Sequence, residues 1–542
     1  MAPRRALSRL RSRLSWIAAA TLALSFGSGA CGKKETPPAA VTTATLSGGD
    51  NKAPSSDAVW EEGPAALEKA LAAHRPTLLY VSSEWCPPCR AMDANLLSRP
   101  AFREATREMA RVRIDGDSEG AQAIAERFEA RAYPTLLLLD ADGQEVFRAH
   151  HEVTLEEIGP VLASAAGAGR GFSAAIQRLE SGSLAGGDCA LFGAVDWSPA
   201  SGMSLSTDAR IAALVRASSR CDGADLPVRA RIAAHLLMLA AGADTYADSS
   251  APGAPARPIA GSLLETVFQS DATAWAARGM ITTWGPVVMR WVLGDNRGAE
   301  FAALRDRWLR AATVIRKHEG AGLDVVLLSY DAVIDLHKLE HGSAPLPALM
   351  RDEIEAAVTR VDALAKTPSS RHAVVSNEAY LLRSIGFGER AKDLLIQEIA
   401  RTDAASHYQT TLSQWAKEEG RRDEALKFAH DAVTSARGRT SRLQWMVNEL
   451  QLLSEDVGSP AGRALFLTRA AEAYPVLFAG EDAFLGRNAA RAGRLAELLA
   501  PLHEEAAVKA LAETYGPKCT ALSGAARTAC DKHVAALRTG TL

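Results

Sequence analysis

The stretch Ser83-Glu84-Trp85-Cys86-Pro87-Pro88-Cys89-Arg90 constrains this chain more than any other. Two cysteines stand two residues apart, with a Trp before the first and prolines between them. The apolar run Leu78-Leu79-Tyr80-Val81 leads in as a strand, and Arg90 to Leu96 leads out as a helix. That order puts Cys86 at a helix N-terminus. Unpaired N–H groups and the positive end of the helix dipole stabilise a thiolate there. Pro87 falls just inside the helix, where a missing N–H is harmless. Cys89 follows one turn later on the same face, within reach of Cys86. A CxxC pair alone also suits half a zinc site or a structural disulfide. Zinc needs further ligands, and the sequence shows no second CxxC and no nearby Cys/His pair. No cofactor or metal is expected.

The segment around this pair alternates helices and strands. Helical stretches cover Pro64 to Ala73, Pro100 to Met109, Glu119 to Phe128 and Thr154 to Ala165. Strands are predicted at Thr77–Ser82, Val112–Asp115, Thr135–Leu139 and Glu145–Ala149, the last two joined by the turn Asp140-Ala141-Asp142-Gly143. This is an α/β sandwich over residues 58–166.

Trp85-Cys-Pro-Pro-Cys89, with Tyr133-Pro134-Thr135 just before a strand, resembles the thioredoxin fold family. The residues after the cysteines, from Asn95 to Phe102, are most similar to periplasmic thioredoxin-like domains that carry electrons. The resemblance implies thiol–disulfide exchange, with Cys86 attacking and Cys89 resolving a mixed disulfide. It implies that Pro134 is cis beside the pair, that the Tyr133 backbone pairs with bound peptide and that Trp85 borders the site. The partners it implies are protein thiols and disulfides and a membrane-bound electron donor. One position departs from the pattern. Tyr80 stands where thioredoxins carry a buried Asp, and a phenol is a poor base near neutral pH. Glu84, His150 and His151 read as surface residues. Neither the motif nor its spacing separates reductant from oxidant.

The N-terminus reads as an address. A basic region from Arg4 to Arg13 precedes the apolar run Leu14 to Phe26, which suits a signal peptide better than a membrane span. Gly27-Ser28-Gly29-Ala30-Cys31 resembles a bacterial lipoprotein cleavage site, with Ser28 where that family has Leu. The resemblance implies a signal over residues 1–30, lipidation of Cys31 and an envelope location facing the periplasm. Gly32, rather than Asp, favours the outer membrane. The alternatives are an ordinary secretory signal with an incidental Cys31 and an uncleaved anchor. Residues 31–57 hold almost no large apolar side chain, so they read as a disordered tether.

Residues 171–542 read as helix after helix. Gly386 with Ala391 recurs 34 residues later as Gly420 with Ala425. That resembles the tetratricopeptide repeat, which implies a solenoid-like, protein-binding region. An unrelated helical bundle is the alternative. Cys189 and Cys221 flank a loop-rich stretch, and Cys519 and Cys530 flank Gly524; in an oxidising compartment those two pairings are the simplest of three. A formal net charge of −3 gives no basis for binding nucleic acid. The fold class expected is a thioredoxin-like α/β domain followed by a large all-α region. A second reading makes the chain a helical scaffold whose α/β domain serves mainly for docking.

Overall fold

Five strands form one mixed sheet in the order β1-β3-β2-β4-β5. In chain order these are β1 (Glu61–Glu62), β2 (Thr77–Ser82), β3 (Ala110–Asp115), β4 (Thr135–Leu139) and β5 (Glu145–Ala149). The protein is seen here as a computed structural model that describes residues 60–164, 171–201, 203–246, 252–402 and 404–541. The signal, Cys31 and the tether lie outside the described residues. β2 lies in the middle, parallel to β3 and antiparallel to β4. Every residue of β2 and of β4 is buried, as their unbroken apolar runs require. β3 alternates instead, with Val112 and Ile114 buried and Arg111 and Arg113 half-buried. β1 pairs with β3 through two residues, too few to leave a period in the sequence.

The helices of this domain are α1 (Pro64–Ala72), α2 (Pro87–Met92), α3 (Pro100–Ala105), α4 (Ala121–Arg127) and α5 (Leu155–Ser164). A π-helical turn, Asp93–Leu97, extends α2. The elements match the expected order, with β1 added at the edge.

His150 departs from its expected surface position. Its side chain is buried, with the ring 3.6 Å from the Asp196 carboxylate. The cause is a return of the chain. The Asp196 N–H bonds the Arg148 carbonyl at 3.2 Å, and Arg148 donates to the Ser201 carbonyl at 2.7 Å. The segment thus covers the end of β5, an edge strand whose backbone groups would otherwise stay unpaired. His151 is about half exposed, as expected.

The remaining described chain is helical, but its compact units do not follow chain order. One unit gathers Val59–Ala174, Val195–Ser204 and Lys392–Leu542. The other gathers Ala175–Ala194 with Leu205–Ala391. A two-way division at residue 171 follows the chain; these units follow packing.

The second unit is built around the helix Leu226–Tyr246. Among the described residues this is the one helix long and apolar enough to cross a membrane, yet 61% of its most apolar window is buried against its neighbours. It serves here as a core helix. Cys189 and Cys221 are bonded in this unit, joining the helix Asp188–Ala194 to the end of Thr207–Arg220.

The paired glycines each sit in the break between two consecutive helices. Gly386 (φ 97°) and Gly420 (φ 74°) both adopt the left-handed backbone that favours glycine. Ala391 and Ala425 are fully buried. The helices Ala405–Glu418 and Arg422–Ser435 pack on each other across the second of these breaks.

Candidate active site

α2 begins where a side chain must satisfy its first N–H groups, and Cys86 supplies that side chain. Cys86 is the N-cap, with extended backbone, and its Sγ accepts the Cys89 N–H at 3.2 Å. A cysteine sulfur thus stands where Ser, Thr or Asp usually caps a helix. Pro87 and Pro88 take the first two helical positions without wasting a donor. The Cys86 and Cys89 sulfurs are bonded. The Tyr133–Pro134 peptide is cis.

Beneath the pair, Tyr80 donates its hydroxyl to the Cys89 carbonyl at 3.0 Å. Burial pushes its phenol well above the usual range, so it holds the helix rather than accepting a proton. The carboxylate nearby is Asp93, one turn after Cys89. It bonds Arg113 at 2.7 Å and lies 3.6 Å from Arg90. Burial raises the Asp93 carboxyl, while both arginines pull it down. Arg113 lies over the rings of Trp60 and Tyr80, 5.4 and 5.3 Å from their centres. Asp93 was not singled out from the sequence. Its spacing of four from Cys89, which sets both on one face of a helix, was the available signal.

The face of the pair is covered. Cys86 is 2% exposed and Cys89 1%. Trp85 donates its indole N–H to Ser441 Oγ, which lies 356 residues away in sequence. The ring of His407 stacks on Trp85 at 6.2 Å and 22°, and Trp445 meets it edge-on at 5.6 Å. Arg487 lies 4.3 Å over the Tyr133 ring and 6.0 Å from that of Trp85. Tyr133 itself is tilted against Trp85 at 6.4 Å. All belong to one compact unit.

Two helix N-termini from the helical region are capped by side chains of the α/β domain. The helix Arg439–Leu453 presents the Ser441 N–H to Asp117 Oδ1 at 2.7 Å, and the Ser441 hydroxyl bonds the other carboxylate oxygen. The helix Gly486–Leu499 presents the Gly486 N–H to Glu126 at 2.9 Å and the Arg487 N–H to Gln122 Oε1 at 2.8 Å. These are the orphan donors of both helices, and carboxylates suit the positive dipole ends. Gln122 also donates to the Gly116 carbonyl at 2.7 Å and to the Tyr133 hydroxyl at 3.1 Å. Burial raises the Asp117 carboxyl, and its bonds to Ser441 work against that. Asp115, at the end of β3, is pushed up to about 6 by burial, opposed by the Asp117 N–H.

Of the residues read from the sequence, Cys86 and Cys89 are bonded, Trp85 just before them meets the Tyr133 ring, and Pro134 follows Tyr133 in cis. Cys189 and Cys221 lie in the other compact unit. Cys519 and Cys530 are bonded to each other and belong to the C-terminal helical core. Glu84 is exposed. His407, Ser441, Trp445 and Arg487 left no local signal, because only their packing on Trp85 and Tyr133 distinguishes them. Among the described residues no group of three His, Cys, Asp or Glu side chains is placed to hold a metal ion.

A family described as a thioredoxin-like domain matches residues 63–166. The match spans β2 to β5, the cysteine pair and the cis proline. No curated protein matches the chain at a significant level. The chain thus carries a thioredoxin-like α/β domain with a mixed five-stranded sheet, followed by a long helical region.

Proposed function

We propose that this protein is an envelope-anchored thiol–disulfide oxidoreductase that works through Cys86 and Cys89, with its helical region binding the partner. The observation that carries the reading is Cys86 at the N-terminus of α2. Its sulfur accepts a backbone N–H, a contact that stabilises the thiolate once the disulfide is opened. In the reducing direction the Cys86 thiolate attacks one sulfur of a substrate disulfide. That bond breaks, a Cys86–substrate disulfide forms, and one substrate thiolate leaves. Cys89, as thiolate, then attacks Cys86 Sγ and frees the second substrate thiolate. The substrate gains two electrons and the pair becomes the Cys86–Cys89 disulfide, to be reduced again by a dithiol donor. The resemblance to reducing periplasmic domains favours this direction. Related folds span roughly −270 to −120 mV, so the reduction potential of the pair decides it; a value near the oxidising end reverses the assignment.

The test is reduction of insulin disulfides by the purified chain with dithiothreitol as donor. Cys86→Ala should abolish turnover above the dithiothreitol background. Unchanged turnover in that variant would sink the reading. The signal-like N-terminus and Cys31 support the anchor. A parent chain that incorporates no labelled palmitate would exclude the anchor, and incorporation that survives Cys31→Ser would exclude Cys31 as its site.

One observation favours the second reading, a scaffold that uses the α/β domain for docking: the pair is nearly inaccessible. A Cys89→Ser variant separates the two. An exchanger accumulates mixed disulfides through Cys86 in envelope extract, and a scaffold leaves the non-reducing gel empty.

A further inference from the structure

An attacking thiolate needs a straight path from its sulfur to the sulfur it attacks. Cys86 has no such path here, being 2% exposed. The residue before it, Trp85, and Tyr133 are covered from outside the α/β domain. Helices some 320 to 370 residues further along the chain lie on the face that carries Trp85 and Tyr133, and they are held there at a few identifiable points. Asp117 holds the start of one helix. Gln122 and Glu126 hold the start of another. His407, Trp445 and Arg487 close over the two aromatic rings between these anchors. Gly438 and Gly486 mark how tight the approach is. A Cβ on Gly438 would meet the Asp117 side chain at 2.4 Å, and one on Gly486 would meet Gln122 at 2.8 Å.

We propose that these two helix ends, with His407 and Trp445, form an autoinhibitory cap that must lift before a protein thiol or disulfide can reach Cys86. The proposal rests on the exchange reading above for its consequence in activity, but the cap itself is a statement about access. The anchors suit a cover that opens. They are side-chain bonds to helix ends, the Gln122 N–H bond to Asp482 at 3.2 Å, one aromatic cluster and the packing of Gly486–Leu499 on α4, whereas the cysteine pair is fixed from below by the buried strand β2 and the Tyr80 hydroxyl. A partner that offered its own carboxylates to the two helix N-termini, or its own cation to Tyr133, would compete with the anchors directly.

The experiment uses the full chain carrying Cys89→Ser, so that Cys86 is a free thiol. Its alkylation by iodoacetamide is followed by peptide mass, which separates it from Cys31. The cap predicts alkylation at least a hundredfold slower in the native protein than in urea. Ser441→Ala with Arg487→Ala should raise the native rate about tenfold, from loss of two anchoring interactions. Gly486→Ala, a steric wedge that removes no charge, should move it in the same direction. With Cys89 intact, the same variants should speed insulin reduction by a similar factor. If native Cys86 is alkylated as fast as in urea, or if neither variant changes the rate, the cap is wrong, whatever the insulin assay shows. If alkylation rises in the variants while insulin is never reduced, the cap stands and the exchange reading falls.

Discussion

The bonds Cys86–Cys89 and Cys519–Cys530 lie in the same compact unit, and all four cysteines are buried. Their settings differ. Cys86 caps a helix and receives an N–H at its sulfur; Cys519 lies in a short 3-10 turn and Cys530 in mid-helix, packed among apolar side chains. Their loops differ too. Closing a separation of 3 residues restrains the unfolded chain by only about 1.5 kcal/mol, and closing 11 by about 3 kcal/mol. Under the exchange reading, burial does not tell a reactive cystine from a staple. Position on the helix and loop length do.

Several substitutions test this contrast, and the largest effect belongs to the short loop. Cys86→Ala should remove exchange activity entirely while lowering stability by about 2 to 3 kcal/mol, from the short loop and the lost N-cap together. Activity in the insulin assay and urea unfolding of the same preparation check both halves. The staples should show the reverse. Cys189→Ser with Cys221→Ser should lower stability by about 4 kcal/mol, given a separation of 32 residues, and Cys519→Ser with Cys530→Ser by about 3 kcal/mol. Neither pair should change the reduction potential of Cys86–Cys89. A shifted potential would show that the staples and the redox pair are coupled.

The core beside the second staple should also respond to pH. His533 is buried, with Nδ1–H donating to the Ala492 carbonyl at 2.8 Å and Nε2 accepting from the Tyr474 hydroxyl at 3.0 Å. Burial lowers it from an ordinary 6.5 to about 4. The unfolded chain thus binds this proton first. Its contribution is full above pH 6.5 and is lost as pH falls from 6.5 to about 4, amounting to about 3 kcal/mol. His150 has the same sign and window for the same reason. His533→Gln should be less stable than the parent at pH 7, and the gap should narrow by pH 4.5 in parallel melts. A constant gap would show that His533 does not titrate in this range.

The smallest effect is expected at Tyr80. Tyr80→Phe removes the bond to the Cys89 carbonyl and should lower stability by about 1 kcal/mol. The pH dependence of Cys86 alkylation should stay the same, because the phenol positions the helix and does not exchange protons with the pair. A shifted profile would make Tyr80 part of the proton path and bring the reactive loop closer to its thioredoxin pattern.

The α/β domain was legible in the sequence because its signals are local. An unbroken apolar run marks β2 and β4, an Asp-Gly turn joins β4 to β5, and CxxC followed by helix-forming residues marks α2. Each rests on neighbours within a few positions. The glycines at 386 and 420 were visible for the same reason, since a left-handed turn is a property of one residue. The burial of His150 was not. It depends on Asp196, which the chain brings back only after a further turn of the fold. The cover over Trp85 was less visible still. Asp117 and Ser441 meet across 324 residues, and Trp85 and Ser441 across 356. By itself, then, the sequence determined the strand, the helix start and the two sulfurs of Trp85-Cys-Pro-Pro-Cys89, because backbone propensity and spacing act locally. Whether those sulfurs face solvent was decided only in the tertiary structure. Access depends on which distant helix ends find caps on this domain, and no local pattern encodes that.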